Sequence, residues 1–322
     1  MNIVILDGYS INPGDLNWSS LESLGKLTVY DRSAPDEVQE RSADAEIVLV
    51  NKSKIPGNVI NALPQLKYIG ELATGFDNVD IHAAAKRNVP VCNVPGYSTA
   101  SVAQLTWALI LELTYKINRR SDDVHNGAWT RSKDFCFGHE GLFELQGKTL
   151  GLIGLGQIGS AVARIGMAFG MKIIAAVRNP AKYDIQHVSF KSINECFEQA
   201  DFLSLHCPLT DANRQMVNKE LLERMKPSAY IINTARGALI NEQDLANALT
   251  HKQVAGAAVD VLSSEPPPEN NPLLKVSNCI ITPHIAWATR QARERLLYES
   301  AENIKAFLNG GLRNVVNGVK TV

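Results

Sequence analysis

Cysteine is scarce and unpatterned in this 322-residue chain. The five residues Cys92, Cys136, Cys196, Cys207 and Cys279 are scattered, with no Cys-x-x-Cys pair. That distribution argues against a disulfide framework and for a reduced, cytoplasmic protein. No apolar run approaches the ~18–20 residues that a spanning helix needs, so no membrane segment is expected. The stretch Met1–Asp7 is apolar but short and has no basic flank, and it reads as a first buried strand. A net charge of −1 removes the electrostatic case for nucleic acid or an anionic membrane surface. The seven histidines show no ligand spacing with each other or with cysteine, so no metal site is expected. A Gly-x-Ser-x-Gly elbow is also missing, which sets serine-nucleophile chemistry aside.

The composition is that of a soluble globular protein: 45% hydrophobic, 20% charged, mean hydropathy −0.08. The length favours two domains. Short Val/Ile/Leu runs recur along most of the chain, at 2–6, 27–30, 46–50, 67–72, 149–153, 172–177, 201–205, 229–233, 254–259 and 278–281. Continuous apolar runs of this length suit parallel strands buried on both faces. Helical patterns lie between them, for example 157–169 and 242–250. The alternation predicts an α/β fold with parallel sheets. A long apolar helix is expected over 98–120 and an amphipathic one over 288–309, each linking two domains. The first domain is then discontinuous, 1–100 plus 291–322, and 101–290 forms the second. The less regular segment 121–146 carries Trp129, Phe135, Phe137 and Phe143. Those aromatics fit an arm that packs on a second subunit.

The second domain opens with Gly154-Leu-Gly156-Gln-Ile-Gly159, set between a strand and a helix. In such a turn the first glycine permits the bend, the second lets the backbone approach a pyrophosphate, and the third lets helix and strand pack closely. The phosphates meet free N–H groups at the helix N-terminus. A dinucleotide is the expected cofactor. At the end of the next strand, where NAD binders usually place Asp or Glu, this chain has Val177 followed by Arg178. A 2′-phosphate is then not repelled, and Arg178 can pair with it. NAD or NADP is expected, with NADP modestly favoured.

Three polar residues follow this turn, each just past a strand: Arg236 in Asn-Thr-Ala-Arg-Gly, Glu265 in Asp-Val-Leu-Ser-Ser-Glu-Pro, and His284 in Thr-Pro-His. A planar guanidinium can hold a carboxylate at two points and polarise the neighbouring ketone. A carboxylate beside an imidazole fixes its tautomer and stabilises the imidazolium. The imidazole can then pass a proton while a nicotinamide passes a hydride. Asp260 is expected to face the nicotinamide amide, with capping of a loop as the alternative.

Taken with Ala200-Asp-Phe-Leu-Ser-Leu-His-Cys-Pro208, these motifs resemble the D-isomer-specific 2-hydroxyacid dehydrogenase family along essentially the whole chain. The resemblance implies two Rossmann-like, doubly wound domains around a cleft, and a homodimer. It assigns substrate binding to Arg236, partnership with the histidine to Glu265, and proton transfer to His284. It also places Gln157, Ile158, Pro208, Thr234, Ala235 and Asp260 at the cofactor. Thr74 and Gly75 of Leu72-Ala-Thr-Gly-Phe-Asp-Asn would hold the substrate carboxylate through backbone N–H groups. Three stretches look like the glycerate dehydrogenases (hydroxypyruvate reductases) of the family: Ile3-Val-Ile-Leu-Asp-Gly-Tyr, Ser132-Lys-Asp-Phe-Cys-Phe and Thr282-Pro-His-Ile-Ala-Trp. Lys52 of Asn-Lys-Ser fits that pattern and could reach the substrate. The expected reaction is reduction of hydroxypyruvate or glyoxylate to D-glycerate or glycolate, and the reverse. Another 2-keto acid, or a dinucleotide-sensing binding role without turnover, are the alternatives.

Overall fold

The computed structural model describes residues 1–183 and 185–320. The chain divides into two compact units, Met1–Ser98 with Trp287–Val322, and Thr99–Ala286. These bounds differ by a few residues from the expected 1–100 plus 291–322 and 101–290, whose last two positions, 321 and 322, lie outside the described residues. The junctions have local causes. The helix Thr99–Tyr115 starts at 99 and packs within the second unit. Ala286 is held there by the Asp260 carboxylate and by the Ser101 hydroxyl.

The first unit is built on a five-stranded parallel sheet in the order β2-β1-β3-β4-β5. Its strands are β1 (Asn2–Ile5), β2 (Lys26–Val29), β3 (Ile47–Val50), β4 (Tyr68–Glu71) and β5 (Val91–Cys92). Ile3, Ile5, Leu49 and Tyr68 face a core shared with the helix Arg290–Leu308. Val4, Val48, Val50 and Ile69 face the other core, with Val59 and Ile60 of Gly57–Ala62 and Ala84 of Ile81–Lys86. Both sheet faces are covered, which is why the strands read as unbroken apolar runs. The order reverses at the neighbours β1 and β3, and a crevice forms outside strand ends at such a reversal.

The second unit holds a seven-stranded parallel sheet in the order β12-β11-β10-β9-β6-β7-β8. The strands are β6 (Thr149–Ile153), β7 (Lys172–Ala176), β8 (Val188–Phe190), β9 (Phe202–Leu205), β10 (Tyr230–Asn233), β11 (Gly256–Val259) and β12 (Cys279–Ile281). Here the order reverses between β6 and β9. The helix Thr99–Tyr115 packs on the helix Gln157–Ala168, and the Trp107 indole N–H donates to the Val162 carbonyl at 3.2 Å. The expected helix over 98–120 is in fact two helices. Lys116 takes a left-handed φ of 51° and separates Thr99–Tyr115 from Ile117–His125. Beyond it, Phe135 is 89% exposed.

Candidate active site

Every strand of the second sheet is parallel, so all the carboxyl ends leave on one edge. The glycine turn, the His206–Pro208 segment, Arg236, Glu265 and His284 all follow strands of this sheet. At the end of β6, Gly154 takes a φ of 97°, which an L side chain rarely adopts. A Cβ at Gly154 would also lie 2.7 Å from the His206 carbonyl oxygen. At Gly159 a Cβ would overlap the Gly154 carbonyl, so the helix Gln157–Ala168 can approach the turn only with glycine at that position. Gly156 is the opposite case: a Cβ there would meet nothing within 4 Å. Two glycines are demanded by protein packing, and the third borders open space at a helix N-terminus. That arrangement fits a pyrophosphate approaching the backbone. Gln157 is exposed at the same helix start, and Ile158 packs against the core below.

Across the switch point, β9 delivers His206-Cys207-Pro208. The His206 ring Nε2 lies 2.9 Å from the Ser204 hydroxyl. Burial pushes its pKa down to about 4, so the ring is neutral. Pro208 is exposed, and its carbonyl accepts from the Asn213 amide. Arg178, past β7, is exposed, yet its charge is felt at Cys207. Burial still dominates at that thiol and raises it.

The strands β10, β11 and β12 are neighbours and carry the reacting residues. Asn233, fully buried, frames the first turn: its amide donates to the Arg236 carbonyl at 2.9 Å and accepts from Ala235 N–H at 3.0 Å. The Thr234 hydroxyl lies 3.0 Å from that of Thr106. Arg236 is half-buried, with Nη1 donating to the Ala235 carbonyl. The next residue, Gly237, has no room for a side chain, because a Cβ would overlap the Leu262 backbone. That close approach sets the Arg236 turn directly against the loop that carries Glu265.

Glu265 bridges two segments. Its Oε1 accepts from Leu262 N–H at 3.0 Å and its Oε2 lies 2.5 Å from His284 Nδ1. A carboxylate only accepts, so Nδ1 carries the hydrogen and Nε2 is left for a reacting oxygen. His284 itself has a φ of 54°, an uncommon conformation for a non-glycine residue. The Asp260 segment holds it there. The Asp260 carbonyl accepts from His284 N–H at 2.8 Å. Its carboxylate accepts from the Thr282 hydroxyl at 2.6 Å, Ile285 N–H at 2.9 Å and Ala286 N–H at 2.8 Å. Burial raises the Asp260 carboxyl above the usual range, against the pull of those donors. Asp260 thus clamps the turn that presents His284. Sequence reasoning gave no role to Asn233, the last residue of β10, or to Thr282, which follows β12, although both lie in the motifs that carry Arg236 and His284.

In the first unit the corresponding edge carries Asp7, residues 51–53 and residues 72–78. Asp7 is a further residue that sequence reasoning passed over. Its Oδ1 accepts from Asn51 N–H at 2.8 Å, and its Oδ2 accepts from Lys52 N–H at 2.5 Å and Ser53 N–H at 2.7 Å. The Asn51 amide continues to the Leu72 carbonyl at 2.7 Å. The Thr74 hydroxyl donates to the Val94 carbonyl at 2.9 Å, and the Thr74 carbonyl accepts from Asn93 at 2.7 Å. The loop with Thr74 and Gly75 is thereby anchored from one side. The Lys52 side chain is exposed.

Comparison with known proteins gives concordant results. The model of the D-isomer specific 2-hydroxyacid dehydrogenase NAD binding domain matches residues 107–286. The chain is 44% identical to a hydroxypyruvate reductase of Blautia hydrogenotrophica, over 98% of this chain and 100% of that one. It is structurally similar to an NADPH-dependent glyoxylate/hydroxypyruvate reductase from Sinorhizobium meliloti solved with NADP and malonate. The TM-score is 0.85 at 28% identity, over 99% of this chain and 98% of that one. A D-lactate dehydrogenase from Aquifex aeolicus complexed with NAD and lactic acid also has a TM-score of 0.85, at 30% identity and 99% coverage of both chains. With a glycine turn open at one position, a carboxylate-held imidazole beyond it, and relatives that match from end to end, this chain belongs to the D-isomer-specific 2-hydroxyacid dehydrogenase family.

Proposed function

We propose that this oxidoreductase interconverts hydroxypyruvate or glyoxylate with D-glycerate or glycolate. The observation that carries the reading is the Glu265–His284 pair, set next to Arg236 by the Gly237–Leu262 approach. The substrates named for its relatives, hydroxypyruvate and glyoxylate, support the choice of a small 2-keto acid. A dinucleotide held at the Gly154–Gly159 turn would supply the hydride for the ketone carbon. Arg236 pairs with the substrate carboxylate and polarises the ketone. His284 donates a proton from Nε2 to the ketone oxygen, while Glu265 stabilises the imidazolium and fixes its tautomer. In the reverse direction His284 takes that proton back. Thr74 and Gly75, through backbone N–H groups, and Lys52 are the further substrate-binding residues of this reading.

Gly154, Gly156, Gln157, Ile158 and Gly159 receive the cofactor pyrophosphate in this reading, and Pro208, Thr234, Ala235 and Asp260 complete its contacts. NADP is favoured over NAD, because Val177 offers no carboxylate to a ribose 2′-hydroxyl and exposed Arg178 can meet a 2′-phosphate. A homodimer is supported by the exposed Trp129 and Phe135 of the 121–146 arm. A reducing, cytoplasmic setting is supported by five free thiols, of which Cys92, Cys196 and Cys279 are pushed up to about 11, 12 and 12 by burial.

The test is initial rates of hydroxypyruvate and glyoxylate reduction with NADPH and NADH in parallel. Turnover that falls by about 10²–10⁴-fold in His284→Ala is expected, with the larger kcat/KM for NADPH. A clear preference for NADH would sink the assignment of Arg178. Efficient turnover only of bulkier 2-keto acids would replace the substrate while leaving the chemistry.

A further inference from the structure

Glu71 closes β4 and is 1% exposed. Side chains alternate along a strand, so Glu71 shares its face with Ile69, which packs in the core with the helices Gly57–Ala62 and Ile81–Lys86. The pattern asks for an aliphatic residue there. Neither carboxyl oxygen makes a hydrogen bond of normal geometry, although the Asn78 amide lies beside it and is committed to the Ser53 carbonyl at 3.1 Å. A buried, unpartnered carboxyl costs stability that an apolar residue would not.

Its surroundings are the two loops of the first unit's strand-end edge. The charged groups that act on it are Asp7 after β1, Lys52 after β3, and Asp77 in the loop after β4. Asp7 is bound to the backbone of residues 51–53. Exposed Lys52 is therefore the one cation among these groups. Burial holds the Glu71 carboxyl well above the usual carboxylate range, Asp7 and Asp77 push the same way, and Lys52 opposes them.

We propose that Glu71 is a positioning residue for the substrate: uncharged beneath residues 51–53 and 72–78 it leaves the Lys52 ammonium outward, and ionised it draws that ammonium in. This rests on the reading that Lys52 meets the substrate carboxylate. An uncharged acid costs the lysine nothing in attraction. A buried carboxylate with no other partner takes the nearest cation. Substrate affinity then falls as pH rises through the Glu71 titration, and kcat at saturation does not follow it.

The experiment measures KM and kcat for hydroxypyruvate from about pH 6.5 to about pH 9.5, below and above a raised carboxyl titration. It compares the wild-type enzyme with Glu71→Gln, Glu71→Leu and Lys52→Met. Gln and Leu are both permanently uncharged, and Leu matches the apolar neighbours if Gln does not fold. Titration of His284 is common to all four and cancels in ratios. The ratio of wild-type KM to that of either Glu71 variant is expected to grow at least about fivefold over this range, with the kcat ratio flat. Lys52→Met should show a raised KM at every pH and no growth in its ratio to the Lys52→Met/Glu71→Gln double variant. A KM that rises equally in wild type and in both Glu71 variants, with Lys52→Met impaired, overturns the role of Glu71 alone. A wild-type KM in Lys52→Met removes the substrate contact, and the role of Glu71 falls with it.

Discussion

His284 is shaped by three separate demands. Its ring needs a carboxylate at Nδ1, its backbone needs a left-handed φ of 54°, and its turn needs the Asp260 clamp. A left-handed non-glycine residue costs roughly 1–2 kcal/mol, which the hydrogen bonds to Asp260 offset. Glu265→Gln keeps the shape and an acceptor but removes the charge that stabilises the imidazolium. Its kcat/KM for keto-acid reduction should fall by about 10–100-fold with little change in dinucleotide affinity. Steady-state rates with a separate binding titration check this, and an undiminished rate would remove Glu265 from the chemistry. The three polar residues were legible because each follows a strand and is a residue type with few bland uses at such a place. For Asp260 a loop-capping role was one of two readings, but its donors, Thr282, Ile285 and Ala286, were not legible, since they come from the end of a different strand.

Among the elements, the approach of the Arg236 turn to the 262–265 loop is the tightest constraint. A methyl group at Gly237 must push the Leu262 backbone away. Gly237→Ala should therefore separate Arg236 from Glu265. A displacement of this kind costs about 10²-fold in rate and about 1–3 kcal/mol in stability. Kinetics and chemical denaturation on one sample check both, and a normal rate in this variant would show that the loop can shift freely. The strand pattern itself was readable. Ten apolar runs became ten of the strands, with ends moved by at most two residues. The two unread ones, β5 (Val91–Cys92) and β8 (Val188–Phe190), are edge strands of two and three residues, too short to show a period. The break at Lys116 was likewise hidden, because lysine is a good helix former and nothing local demands a left-handed φ there.

For the molecule as a whole, acid stability and assembly are the readable consequences. His206 is held neutral, its pKa pushed down from 6.5 to about 4 by burial. Between those values the unfolded chain binds the proton and the folded one does not. The stability that this ring contributes is thus present above the unfolded value and lost as pH falls toward about 4. The loss is on the order of 2 kcal/mol, below the full linkage value because the ring is partly exposed. Denaturation midpoints at a series of pH values, compared with His206→Gln, test it; equal acid loss in both would assign the effect elsewhere. The arm supplies the second consequence. Phe135 is 89% exposed, and its carbonyl is fixed by the Trp129 indole at 2.9 Å. Phe135→Ser should weaken dimerisation by about 10–100-fold, read by light scattering across a dilution series. A wild-type protein that is monomeric at all concentrations would end the arm's role.

The order of motifs along the chain settles the reaction class, because each motif is a local unit: a strand, a tight turn, and one polar or glycine residue whose use is limited by its own chemistry. Strand burial is legible for a similar reason, since a strand covered on both faces needs only apolar side chains. Adjacency is different. The sheet order sets β10, β11 and β12 side by side and so joins Arg236, Glu265 and His284 on one edge. The same kind of folding brings Asp7, Lys52, Glu71 and Asp77 together at the end of the other sheet. Those neighbours depend on hydrogen bonding between distant backbone segments and on which face each strand buries. Neither is carried by any short stretch of sequence, so a buried acid such as Glu71 reads in the chain as an ordinary surface residue.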